Sequence, residues 1–137
     1  PVPVILAENE EKKALFAASH AALAKSGTIS LECTLAGVPY ITAYRAHPIS
    51  IWYIRRKVKI PYVNMSNIIL GRFVIPELIQ EDLTADAIVR EILPLLQNSA
   101  ARDAQLETLK DISRQLGSED AQSPSDKAAE IVLATLP

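Results

Sequence analysis

The sequence predicts an α/β domain in which parallel strands are joined by helical crossovers. Short apolar runs alternate with stretches of helical periodicity, Gly and Pro stand at the junctions, and the second half reads as helix almost throughout. The first run, Val4-Ile5-Leu6-Ala7, lies between Pro3 and the polar Glu8-Asn9, as a buried parallel strand does. Asn9 is placed to cap a helix from Glu10 to Ala18, whose Ala14, Leu15, Ala17 and Ala18 cluster at helical spacing behind a charged first turn. Ala21-Ala22-Leu23-Ala24 is a second strand, and Ser26-Gly27-Thr28 turns tightly from it into a helix over about Thr28 to Ala36. Gly37 stops that helix and Pro39 follows. Tyr40-Ile41-Thr42-Ala43-Tyr44 alternates β-branched and aromatic residues, which predicts a third strand.

The middle of the chain is less regular. A helix is expected from about Pro48 to Val58, then an extended Pro61-Tyr62-Val63 and a short apolar turn or helix from Asn67 to Leu70. Thr84 caps a helix reaching about Asn98, and a second runs through Leu116. Gly117 to Gln122 reads as a linker. Ser123-Pro124-Ser125-Asp126 combines a Ser cap, Pro at the first helical position and an acidic third position, opening a last helix to Leu136.

Composition narrows the function classes. At 137 residues the chain is one domain's worth, and 49% hydrophobic with 22% charged residues is ordinary for a folded soluble domain. A formal net charge of −2 argues against a general nucleic-acid binder, which needs clustered cations. Cys33 is the lone cysteine, so neither an intrachain disulfide nor a cysteine-based zinc site can form, and the cytosol is the expected compartment. His20 and His47 are too few to suggest a metal centre. No apolar run approaches the length of a membrane span, so any membrane contact is expected to be peripheral. The chain opens at Pro1, without Met, almost directly on an apolar run, and reads as a cut inside a longer protein.

Three segments carry possible chemistry. Ser26-Gly27-Thr28 is predicted at the carboxyl end of a parallel strand and the N-terminus of a helix, where backbone N–H groups, the helix dipole, a close-approach Gly and two hydroxyls suit a phosphate or diphosphate. A ligand-free strand-to-helix turn is the alternative. Glu32 stands four residues after Thr28 and shares its helix face, where a carboxylate can accept from ribose hydroxyls or simply favour an early helical turn. Asn67 through Arg72, followed by Pro76-Glu77-Leu78, offers an amide, a guanidinium and a carboxylate for base, phosphate and sugar; a turn Asn, a solvated Arg and an N-terminal helical Glu explain them as well. Between these segments, Ile49, Ile51, Trp52, Tyr53 and Ile54 lie beside Arg55, Arg56, Lys57 and Lys59, which fits either a surface touching anionic lipid or an acylated substrate, or a half-buried helix with a solvated basic end. No nucleophile–base pair or carboxylate pair appears at a workable spacing.

In order, Ser26-Gly27-Thr28-Ile29-Ser30-Leu31-Glu32, Ala36-Gly37-Val38-Pro39, Ala43-Tyr44-Arg45, Pro61-Tyr62-Val63, Asn67-Ile68-Ile69-Leu70-Gly71-Arg72 and Pro76-Glu77-Leu78 resemble the C-terminal region of lipid-A-disaccharide synthases. The resemblance implies the C-terminal half of a GT-B glycosyltransferase, a Rossmann-like parallel sheet flanked by helices with a helix-rich C-terminus. Residues 1–122 would form the UDP-sugar-binding domain, and the helix of residues 123–137 would pack toward an N-terminal domain. The implied donor is UDP-2,3-diacylglucosamine and the acceptor 2,3-diacylglucosamine 1-phosphate, the latter held mainly by that other domain, which would also carry the catalytic carboxylate. Neither a cofactor nor a metal is implied. Ser26, Gly27 and Thr28 would hold the diphosphate and Glu32 the ribose; Asn67, Gly71, Arg72 and Glu77 would line the donor pocket, with Arg45 among the substrate-binding residues. Trp52, Arg55, Arg56, Lys57 and Lys59 would supply a peripheral contact on the inner face of the inner membrane. The alternatives are another UDP-sugar enzyme, either a GT-B transferase or a UDP-N-acetylglucosamine 2-epimerase, and a non-catalytic α/β interaction module.

Overall fold

Three short parallel strands, β1 (Ala22–Lys25), β2 (Tyr40–Tyr44) and β3 (Glu77–Ile79), form a sheet in the order β1-β2-β3. The computed structural model describes residues 2–57, 59–117 and 124–135, without the side chains of residues 50, 53–55 and 124. The register pairs Ala24 with Thr42 and Thr42 with Glu77, and the ladders are extended by bonds from Ala22 N to Pro39 O and from Thr42 N to Pro76 O, each 2.8 Å. A parallel pair needs a crossover. Helix α2 (Thr28–Leu35) joins β1 to β2, and α3 (Pro48–Lys57) and α4 (Met65–Leu70) lie between β2 and β3. Helix α1 (Lys12–Ala18) precedes the sheet; α5 (Ala85–Leu96), α6 (Ala100–Gln115) and α7 (Pro124–Ala134) follow it.

The central strand organises both layers. Its Tyr40, Ile41 and Thr42 are fully buried, and the two-residue period of a strand sends Tyr40 and Ile41 to opposite faces. Tyr40 joins Ala24, Cys33, Ile75 and Leu109 in one core cluster, with Phe16 and Ile29 against it. Ile41 joins Leu78, Ala87 and Leu95 in the other, backed by Leu83, Ile88 and Ile92 of the α5 layer. Fully burying an Ile or Leu stabilises by about 1.5–3 kcal/mol relative to leaving it exposed, so these clusters determine the α/β/α layering. β3 is too short to reach Tyr40, and the Gln105 carboxamide of α6 takes its place: Tyr40 N donates to Oε1 at 2.7 Å and Nε2 donates to Tyr40 O at 3.1 Å. Ser99 caps α6, and Arg102 donates to Leu95 O at the end of α5 and to His20 O just before β1.

The expected parallel sheet with flanking helices is observed, and two local expectations need correction. Val4-Ile5-Leu6-Ala7 is not a strand: Val4, Ile5 and Leu6 are 81–92% exposed and join no ladder. Apolar character makes a run compatible with a strand, but only a hydrogen-bonding neighbour makes it one, and among the described residues the sheet runs from β1 to β3. The entry to α1 is also different. A 3-10 turn over Asn9–Glu11 comes first, and Glu8 N donates to Glu11 Oε2 at 3.1 Å, so Glu8 rather than Asn9 stands at the cap. β3, three residues long, carries no local pattern that announces a strand. Val58, most of the expected linker (residues 118–122), the Ser123 cap and Leu136 lie outside the described residues.

Candidate functional site

Because all strands run the same way, their exit loops gather at one edge of the sheet. Lys25 to Thr28 leaves β1, Arg45 to His47 leaves β2, and Gln80 to Asp82 leaves β3. Two strand spacings of about 4.8 Å put the outer exits roughly 10 Å apart. Ligands of open parallel sheets bind outside this edge.

The β1 exit is built around Gly27. Its φ of +132° and ψ of −154° lie in a region that only Gly occupies freely, and an added Cβ would meet nothing within 4 Å. The conformation is therefore demanded by the backbone path and not by crowding, and the space before it is open. Gly27 is the N-cap of α2 and supplies no side-chain cap; its carbonyl instead accepts from Ser30 N at 3.2 Å and Ser30 Oγ at 2.6 Å. Gly27 and Thr28 are exposed, and ahead of the bonded Ser30 the N–H groups of Thr28 and Ile29 have no i−4 acceptor within the helix. Ser26 Oγ donates to Val63 O at 2.7 Å, tying this turn to the segment entering α4.

Glu32 lies one turn further along α2, on the side that faces α1. Its Oε2 is 2.7 Å from Lys12 Nζ, and the two side chains border a cleft with Phe16, Ala17, Leu35 and Ala36. Cys33, next to it, points into the core. Burial, and then the Glu32 charge, push its thiol up to about 11, so it is held as an inert thiol.

The β2 and β3 exits are locked together. Gln80, 9% exposed, takes a left-handed φ of +54° without being Gly. Its Oε1 accepts from Ala46 N at 2.8 Å and its Nε2 donates to Ala46 O at 3.0 Å, while Arg45 Nη2 donates to Leu83 O at 3.0 Å and to Gln80 O at 3.5 Å. The sequence reading missed Gln80; its signal was a polar residue directly after the apolar Leu78-Ile79. A cleft at this junction is walled by Pro48, Ile51, Trp52, Arg56, Gln80 and Glu81. On α3, Ile49 and Trp52 are exposed, Arg56 stacks 4.1 Å from the Trp52 ring centre and Lys57 is open to solvent, as is Lys59 beyond the helix. The Arg55 side chain lies outside the described residues.

The remaining candidates sit deeper or elsewhere. Asn67 is fully buried: Oδ1 accepts from Val74 N and Ile75 N, both at 2.9 Å, and Nδ2 donates to Ile75 O at 2.9 Å and Glu77 Oε1 at 2.7 Å. The Glu77 carboxylate also accepts from Asn64 N and Val63 N, each at 3.0 Å. Both side chains are thus committed within the chain, and they fix the 63–64 segment that Ser26 touches. A second network beneath them was not foreseen. Asn64 caps α4 through Oδ1 and donates from Nδ2 to Thr42 Oγ1 at 2.6 Å, while Tyr40 OH, Thr34 Oγ1 and Ser66 Oγ form a closed triangle at 2.8–3.0 Å. Gly71 ends α4 at φ +63°. Arg72, exposed beside it, borders a separate cleft between α5 and α6 with Pro94, Leu95 and Gln105. The structure therefore brings Ser26, Gly27, Thr28, Arg45 and Gln80 to one edge, sets Asn67 and Glu77 behind it, and leaves Arg72 apart. Among the described residues no group of three His, Cys, Asp or Glu side chains is placed to hold a metal ion, and no helix is long and apolar enough to cross a membrane.

The family model for lipid-A-disaccharide synthetase matches residues 2–132. The chain is 46% identical over 131 residues to a lipid-A-disaccharide synthase of Rhodopseudomonas palustris, covering 96% of the chain and 33% of that protein. It is 46% identical over 134 residues to that of Rhodospirillum centenum (97% and 33% covered) and 38% identical over 135 residues to that of Pseudomonas savastanoi pv. phaseolicola (98% and 33%). The chain spans about a third of the length of the curated relatives it matches. A match running through both crossovers, the Ser26–Thr28 turn and the α5–α6 layer places this chain in the lipid-A-disaccharide synthetase family.

Proposed function

We propose that this chain is the donor-binding part of a glycosyltransferase that transfers 2,3-diacylglucosamine from UDP to 2,3-diacylglucosamine 1-phosphate, releasing UDP and lipid A disaccharide 1-phosphate. The observation that carries the reading is the uncapped, exposed N-terminus of α2 behind Gly27, at the carboxyl end of β1. Outward N–H groups and the positive helix end stabilise a diphosphate there, with the Ser26 and Thr28 hydroxyls beside them. Glu32, on the Thr28 face, takes the ribose hydroxyls. Arg45 holds the opposite wall through its bonds to residues 80 and 83. Asn67 and Glu77 act by holding residues 63–64 in place, and Gly71 and Arg72, at the far end of α4, are the candidates this geometry supports least. The reacting carboxylate and most of the acceptor site belong to the remainder of a longer protein. The helix Pro124–Ala134, which exposes Ile131, Val132 and Leu133, is proposed to pack toward that part.

The exposed face of α3, with Lys59 just beyond it, supplies peripheral contact: Trp52 with Arg56, Lys57 and Lys59 pairs an apolar anchor with charges that attract anionic headgroups. Hydrogen–deuterium exchange on the full-length protein tests both parts. UDP should protect residues 25–32, and anionic vesicles should protect residues 49–57. Unchanged exchange at 25–32 with saturating UDP overturns the donor site, and unchanged exchange at 49–57 removes the membrane contact. Turnover of unacylated in place of acylated UDP-glucosamine would move the chain's parent to another UDP-sugar reaction.

A further inference from the structure

We propose that Lys12 is a positioning residue that sets Glu32 for the ribose of the nucleotide; the inference rests on the donor-site reading above and extends it to a residue on a different helix. Three observations support it. Glu32 Oε2 is shut off from solvent and accepts no hydrogen bond among the described residues, and the Lys12 ammonium, 2.7 Å away but off the hydrogen-bonding direction, is the charge that compensates it. The Glu32 side chain is nonetheless 36% exposed, so its accessible surface lies on Oε1 and the methylenes. Helical side chains lean toward the helix N-terminus, so Glu32 lies over the turn that begins at Thr28. Lys12 thereby occupies one carboxylate oxygen and leaves the other to accept a hydroxyl beside the open end of α2.

The pairing links two elements that the sequence separates by 20 positions, Lys12 and Glu32. Helix α1 has no fully buried residue and meets the core mainly through Phe16, so its orientation over α2 is free to be set by such a contact. Without the ammonium, Oε2 would keep its desolvation without compensation, and the side chain would swing into water. Loss of Lys12 therefore acts on Glu32's direction. It should act little on folding, because half-exposed ion pairs contribute little to stability.

The test compares UDP with 2′-deoxy-UDP by calorimetric titration of the full-length protein and its Lys12→Met, Lys12→Arg and Glu32→Gln variants, with melting temperature alongside. The parent should prefer UDP by roughly tenfold, the scale of one hydrogen bond to a charged group. Lys12→Met should weaken UDP several-fold and bring the UDP-to-deoxy ratio near one while melting within a few degrees of the parent, and Lys12→Arg should restore the ratio. A parental ratio in Lys12→Met, with the ratio lost in Glu32→Gln, overturns the role of Lys12 and leaves the donor site standing. A parental ratio in Glu32→Gln overturns the ribose contact itself and this proposal with it.

Discussion

Helices α2 and α4 begin in opposite ways, and the proposed donor site rests on the contrast. At α4, Asn64 Oδ1 caps Ser66 N at 2.8 Å, and the Glu77 carboxylate accepts the N–H groups of Val63 and Asn64 just before it. The chain has supplied its own anion to that positive end. At α2 there is no side-chain cap, no acidic residue in the first turn, and an exposed Gly27 in a conformation open to Gly alone. Both ends carry the same partial charge. Only the α2 end lacks a side-chain cap, and the bond from Ser26 to Val63 ties it to the closed one.

Disrupting the closed end should have the largest effect on stability. Asn67→Ala removes four hydrogen bonds from a fully buried side chain and orphans the N–H groups of Val74 and Ile75 and part of Glu77. A loss of about 3–5 kcal/mol is expected, in the range for breaking a buried network, and urea unfolding measures it. The open end should respond differently. Gly27→Ala meets no steric obstacle but must hold φ near +132°, at a cost of about 1–3 kcal/mol. If the backbone relaxes instead, its N–H groups turn away from the diphosphate, and UDP affinity should fall more than tenfold by calorimetry. Asn67→Ala weakening UDP while Gly27→Ala does not would reverse the assignment of the two ends.

What the sequence revealed followed how local each signal is. β2, α2 and the Ser26–Thr28 turn were legible because alternation, helical spacing and Gly27 are written within a few residues. β3 was not, since three residues carry no period and become a strand only because β2 lies beside them. Val4-Ile5-Leu6 shows the converse, strand composition with no ladder to join. Asn67 and Glu77 were legible as important but not in their manner of acting. Their partners lie as far as 14 positions away, and an amide that reads as a ligand contact is here the bracket for residues 74–75. Gln80 and the Tyr40–Thr34–Ser66 triangle depend on pairings 6 to 34 positions apart, which no local pattern announces.

The smallest effect is expected on the inner face of α2, one residue from the carboxylate that faces its outside. Cys33 is 1% exposed, and burial, with Glu32 adding to it, raises its thiol from 9.0 to about 11. Below pH 9 the thiol keeps its proton in both states, so the shift changes nothing. Between about 9 and 11 the unfolded thiol ionises while the folded one does not; unfolding then releases a proton and stability falls as pH rises. Above about 11 the folded thiol also ionises and the decline levels off. Urea unfolding at pH 8 and pH 10.5 should therefore show a drop in the parent that exceeds the drop in Cys33→Ala, because every other group is common to both proteins. Native Cys33 should also resist iodoacetamide at pH 8. Rapid labelling there, with the fold intact, would mean that α2 lifts from the sheet along its length, and the open end at Gly27 would then be part of a mobile helix instead of a fixed anion site.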